Sequence, residues 1–98
     1  MIYVIATYRI LPGALEPFVG ASYGLIDASR REPGCLYFDL HASVTDPDRV
    51  QGFEQWSDRA AFDRHRTSPH VLAFAESITE FVVSARTELI QPGNVEIL

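Results

Sequence analysis

A chain of 98 residues makes a single domain, and a chain this short buries roughly two-thirds of its unfolded surface at best. Hydrophobic residues make up 47% and charged residues 21%, a globular balance rather than a disordered one. The net charge is −5 with no run of clustered basic residues, which argues against nucleic acid as a partner, and the lone Cys35 excludes an internal disulfide and a thiolate zinc site.

The chain enters a strand pattern at Ile2 with no basic leader, and no apolar run approaches the ~20 residues of a membrane span. The expectation is a cytoplasmic protein that does not contact membrane. An anionic small ligand is still compatible with the acidic balance, because a local Arg pair can outweigh it.

Ile2 to Ile10 places apolar residues on both alternating faces, the pattern of a central strand covered on both sides. Leu11-Pro12-Gly13 stops it. Ala14 to Glu32 reads as a helix with Leu15, Phe18, Val19, Ser22, Ile26 and Ser29 on one face and Pro17 in the tolerant first turn. Pro33-Gly34 ends it.

Cys35 to Val44 alternates as a strand, with Leu36, Phe38, Leu40 and Ala42 on one face and Tyr37, Asp39, His41 and Ser43 on the other. Thr45-Asp46-Pro47-Asp48 is a turn, and Arg49 to Trp56 returns. A four-residue turn sets His41 opposite Gly52, Asp39 opposite Glu54 and Tyr37 opposite Trp56, so that Asp39, His41, Glu54 and Trp56 share a face.

Ser57 is the expected N-cap of a helix starting at Asp58, in which Ala61, Phe62 and His65 share a stripe. Ser68-Pro69 starts a further helix, with Val71, Leu72, Ala75 and Ile78 as its buried face. Phe81 to Ile90 is a last strand, broken by Gln91-Pro92-Gly93.

The order β-α-β-β-α-α-β predicts an α+β, ferredoxin-like domain spanning residues 1–98, an antiparallel sheet with helices on one face. The other face carries large apolar residues that a monomer seldom exposes, so a second copy is expected to cover it, giving a homodimer.

In its ordered motifs the chain resembles the antibiotic biosynthesis monooxygenase (ABM) family, dimeric α+β barrels that often need no cofactor. The matching residues are the opening strand with Leu11-Pro12-Gly13, then Glu32-Pro33-Gly34-Cys35-Leu36 and Asp46-Pro47-Asp48-Arg49. They continue through Phe53-Glu54-Gln55-Trp56, Ala61-Phe62, His65 and Ser68-Pro69-His70. The resemblance implies a pocket between sheet and helices, with its pocket positions falling on His41, Glu54, Trp56 and His65. The haem-degrading branch departs from this chain, which has Thr7 in place of that branch's first-strand Asn and no His far along the last helix, in VLAFAES.

A small set of side chains carries the expected chemistry. His65 and His41 are candidate general bases, because an imidazole titrates at about 6.5. Glu54 would orient an imidazole and stabilise its cation. Trp56 would stack on a flat substrate, Phe62 would line the same stripe as His65, and Tyr37 or Tyr8 would donate a hydrogen bond to a phenolate. Each also has a purely structural reading, as core, interface or exposed polar residue. His70 at a helix start reads as structural. His41, Glu54 and His65 are of the types that two-His-one-carboxylate sites use, yet no compact spacing supports a metal, and neither metal nor cofactor is expected.

The favoured expectation is a cofactor-independent monooxygenase that oxidises a small electron-rich aromatic, of quinol or anthrone type, with O2. An isomerase or tautomerase of a small carbonyl compound, using the same His/Glu acid–base pair, is the alternative. A non-catalytic dimeric binding domain is the third reading.

Overall fold

The computed structural model describes residues 1–98. Its elements follow the expected order: β1 (Ile2–Ile10), α1 (Leu15–Arg30), β2 (Cys35–Ala42), β3 (Arg49–Trp56), α2 (Arg59–Arg66), α3 (Pro69–Ser77) and β4 (Val82–Ile90). The sheet order is β2-β3-β1-β4, and every neighbouring pair is antiparallel. The strands joined through helices therefore run parallel to each other without being neighbours, which is the ferredoxin-like arrangement with β1 central.

Local signals account for most element ends. Gly13 and Gly34 take positive φ, +81° and +87°, closing the turns after β1 and α1. The cap of α2 is Asp58 rather than Ser57: its Oδ1 accepts the backbone N–H of Ala61 at 2.8 Å, so the helix starts at Arg59. Pro69 opens α3 as expected.

One face of the sheet packs on the helices. Ile2, Val4, Ala6 and Ile10 of β1, with Val50 and Trp56 of β3, are buried there. Tyr8, Phe18 and Phe74 form a triangle of rings with centroids 5.3, 5.7 and 6.2 Å apart, tying α1 and α3 to the sheet. Each such pair adds about 1 kcal/mol beyond its area. Leu25 joins the buried face of α1, and in α3 the buried residue is Phe74, while Leu72 lies exposed.

The hairpin register differs from expectation by one residue. Leu40, not His41, faces Gly52; Phe38, not Asp39, faces Glu54; and Tyr37 faces Gln55. The hairpin closes through the Ser43 N–H donating to the Arg49 carbonyl, leaving five residues in the loop instead of four. An odd shift in a period of two moves a whole side-chain set to the other face. Asp39, His41 and Tyr37 therefore lie on the open face, while Glu54 and Trp56 point toward the helices. A further irregularity between Cys35 and Tyr37 lets Cys35 pair with Trp56.

The open face is apolar at its centre. Tyr3, Ile5, Tyr37, Phe53 and Ile90 line a groove of about 440 Å³ across it. Tyr37, Phe53 and Ile90 are exposed.

Candidate active site

Three segments converge on His65. The C-terminal end of α1 runs into Glu32, β3 supplies Glu54 and Trp56, and the last turn of α2 carries His65 itself. His65 is 5% exposed, Glu54 8%, and Trp56 fully buried. Gly34 makes this convergence possible: a Cβ there would stand 2.6 Å from the Ala61 Cβ of α2. Only a glycine allows the turn after Glu32 to press against the helix that holds His65.

The imidazole is held on both sides. Its Nδ1 lies 2.7 Å from Oε2 of Glu32. With a carboxylate as acceptor, Nδ1 carries the proton and Nε2 is left as the lone-pair nitrogen. Nε2 points toward Glu54, whose Oε1 is 3.6 Å away. That same Oε1 accepts the indole N–H of Trp56 at 2.9 Å. The Trp56 ring lies 4.6 Å from the His65 ring, centroid to centroid, and Phe38 and Phe62 flank it at 5.4 and 6.1 Å.

These surroundings shift both titrating groups from their ordinary values. Burial pushes the Glu54 carboxyl up to about 7, with the nearby Glu32 adding to the rise and the Trp56 hydrogen bond opposing it. Burial lowers the His65 pKa, and the hydrogen bond that Nδ1 donates to Glu32 works against that fall. Near neutral pH a carboxyl raised into the physiological range therefore faces an imidazole whose neutral, proton-accepting form burial favours, an acid and a base side by side.

A cavity of about 330 Å³ opens on this pair between sheet and helices. Glu54 and His65 line it, with Phe62 and Tyr8 as apolar walls and Thr87 on β4. Burial first, and the Glu54 charge second, push the Tyr8 hydroxyl up to about 12, so it stays a hydrogen-bond donor at any physiological pH. Arg59 and Arg66 stand at its edge.

The expected residues divide between the two faces of the sheet. Glu54, His65 and Phe62 come together at the cavity. Trp56 lies behind them, its ring tilted against His65 and its indole N–H bonded to Glu54, so it supports the pair instead of presenting a face to the cavity. His41 is on the other side of the sheet, with its Nε2 3.4 Å from the Tyr37 hydroxyl and 3.9 Å from Asp39. The His41–Glu54 pairing and the placement of Tyr37 in the pocket are thus corrected by the one-residue register shift. Separating His41 from Glu54 and His65 also removes the two-His-one-carboxylate set read from the sequence.

Sequence reasoning missed Glu32 as a partner, and read His70 as merely structural. The Nε2 of His70 is 3.2 Å from Oε1 of Glu32 and 3.1 Å from the Ser68 hydroxyl. The ligand atoms of Glu32, His65 and His70 lie within 4.8 Å of one another, a donor set of the kind a divalent ion takes. The His65–Glu32 hydrogen bond and the contact of His70 with Ser68 already engage these atoms. No helix is long and apolar enough to cross a membrane.

Comparison with known proteins bears on the family and the fold. The family model for antibiotic biosynthesis monooxygenase matches residues 1–77. The chain is 30% identical over 96 residues to the uncharacterised protein sll1783 of Synechocystis, covering 98% of this chain but only 60% of that protein's length. It is 28% identical to the Escherichia coli protein named probable quinol monooxygenase YgiN, over 95% of this chain and 99% of that one. Among solved structures, PA3566 from Pseudomonas aeruginosa superposes with a TM-score of 0.85 at 31% identity, covering 93% of this chain and 92% of that one. The ferredoxin-like fold, the match over residues 1–77 and the kinship with proteins named monooxygenases agree: this chain belongs to the antibiotic biosynthesis monooxygenase family.

Proposed function

We propose that the protein is a cofactor-independent monooxygenase acting with O2 on a small electron-rich aromatic of quinol or anthrone type. The observation that carries this reading is the pairing of His65 and Glu54 at the wall of a cavity large enough for a one- or two-ring substrate. The names of the relatives support it.

His65 Nε2 takes the acidic proton of the substrate. Glu32, bonded at Nδ1, stabilises the imidazolium that forms. The resulting phenolate or carbanion gives one electron to O2, and the radical pair combines at carbon to a peroxide. Protonation and loss of water then leave a carbonyl. Glu54, protonated over much of the neutral range, supplies the proton the peroxide needs. Tyr8 donates a hydrogen bond to the developing oxyanion. The apolar walls keep water from the reactive intermediates.

Two copies packed through their open faces would bury Tyr3, Ile5, Phe53 and Ile90 and complete an α+β barrel, the expected homodimer. An isomerase reading shares the same residues, and the facing Glu54 and His65 favour it equally up to the deprotonation step. Oxygen separates the two. Purified protein is assayed by oxygen electrode against hydroquinones, naphthols and anthrones, with His65→Ala as control. Uptake above the spontaneous rate, lost in the variant, is the expected result. No uptake with any substrate, together with solvent deuterium entering a carbonyl substrate, would replace the oxygenase by the isomerase.

A further inference from the structure

We propose that the cavity takes substrates bearing an oxyanion, a carboxylate or a phosphate, and that Arg59 and Arg66 bind that group. The inference rests on reading this cavity as the substrate site.

Both arginines line the cavity. They lie seven positions apart in the chain, two helical turns, so they flank Phe62 on one exposed edge of α2, beside the face of Ala61, Phe62 and His65 that packs on the sheet. Their guanidinium groups converge. Arg59 Nε and Arg66 Nη1 reach the same oxygen, Oδ1 of Asp63, at 3.0 and 3.6 Å. One carboxylate thus serves two cations and leaves one positive charge unbalanced. The guanidinium of Arg66 also lies 5.7 Å from the centre of the Phe62 ring, which holds it over the cavity wall.

No other charge facing the cavity cancels this. Glu54 is the acidic group that lines it, and burial favours its neutral form. In a chain of net charge −5 this is a local reversal of sign. Guanidinium groups present paired N–H donors that match the oxygens of carboxylate and phosphate. The cavity floor is apolar, with Ala6, Val71 and Leu89. An aromatic ring lying on that floor, with its anionic group at the arginines, brings its far edge toward His65 and Glu54.

The test is binding by titration calorimetry of three probes of one shape: 1-naphthamide, 1-naphthoate and 1-naphthyl phosphate. None is oxidised or tautomerised by the chemistry proposed above, so the readout stands apart from turnover. The expected result is at least one anionic probe binding about tenfold or more tighter than the amide, with the advantage shrinking as salt rises. The stronger anion identifies the group. In the Arg59→Gln/Arg66→Gln double variant, on exposed helix positions that do not hold the core, the advantage falls to within about threefold of the amide. Equal affinity for amide and anions, an advantage that survives in the double variant, or no binding of any probe at millimolar concentration overturns the inference. Anion preference without oxygen uptake would leave this site standing and sink the oxygenase instead.

Discussion

Glu32 and His65 are 33 positions apart in sequence and 2.7 Å apart in space, and that bond fixes which nitrogen of the imidazole faces the cavity. Glu32→Gln keeps the shape and removes the negative charge. The variant should retain its fold and lose about tenfold to hundredfold in kcat, with KM nearly unchanged, because imidazolium stabilisation matters most in the transition state. The His65 pKa should fall further, and NMR titration of the ring reads that directly. An unchanged His65 titration would show that Glu32 does not act on the base.

The two histidines of the sequence-based site should behave differently. His65→Ala is expected to reduce turnover about hundredfold or more. His41→Ala, across the sheet from the cavity, should stay within about twofold of the wild type. Steady-state kinetics of the two variants side by side check this. A large loss in His41→Ala would mean that the open face takes part in the reaction.

Glu54 makes stability depend on pH. Its carboxyl holds a proton up to about 7 in the fold, whereas the unfolded chain releases it near the ordinary 4.5. Between those values the folded state binds more protons, so this group's contribution declines as pH rises through the window, by on the order of 3 kcal/mol in all. His65 acts in the opposite sense below its unfolded pKa of about 6.5, since the fold refuses a proton that the unfolded chain accepts. Glu54→Gln keeps an oxygen for the Trp56 N–H and abolishes the titration. Urea unfolding at about pH 5 and about pH 8 should show the wild type losing more stability than the variant across that interval. Equal changes would mean that Glu54 titrates normally.

Gly34→Ala tests the turn that brings Glu32 to His65. The substitution forces a side chain into positive φ and against Ala61, and should cost about 3 kcal/mol by chemical denaturation. A loss under about 1 kcal/mol would show that α2 yields easily and that the site tolerates a looser turn.

The open face gives a prediction about assembly. Light scattering should report twice the 11.0 kDa chain mass for the wild type. Phe53→Asp, at the centre of the groove, should shift the protein to the single-chain mass. A wild-type monomer at micromolar concentration would leave the apolar groove without its proposed cover.

The element order was legible in the sequence because it rests on local signals: alternation in β1 and β2, Pro-Gly stops, capping residues at Ser57-Asp58 that placed α2 to within one residue, and Pro69 at the start of α3. The stripe of Ala61, Phe62 and His65 was legible for the same reason, since helical spacing alone puts the three on one face, and all three are buried. Glu54 and Trp56 were correctly placed together, being two apart on one strand.

Tertiary structure alone decided which imidazole meets Glu54. A loop of five residues rather than four between Ser43 and Arg49 turned His41 and Tyr37 outward, and strand alternation has no intermediate answer. Glu32 became visible only when α1, β2 and α2 were brought together at Gly34. Its partnership with His65 joins distant segments, and a sequence marks such a meeting only through the glycine that lets the backbones approach. Determined from the chain alone were the fold, the helix stripe that carries His65 and the apolar face left uncovered. The fold itself supplied the pairings of His65 with Glu32 and Glu54, because burial and long-range geometry, not residue type, set which groups share a proton.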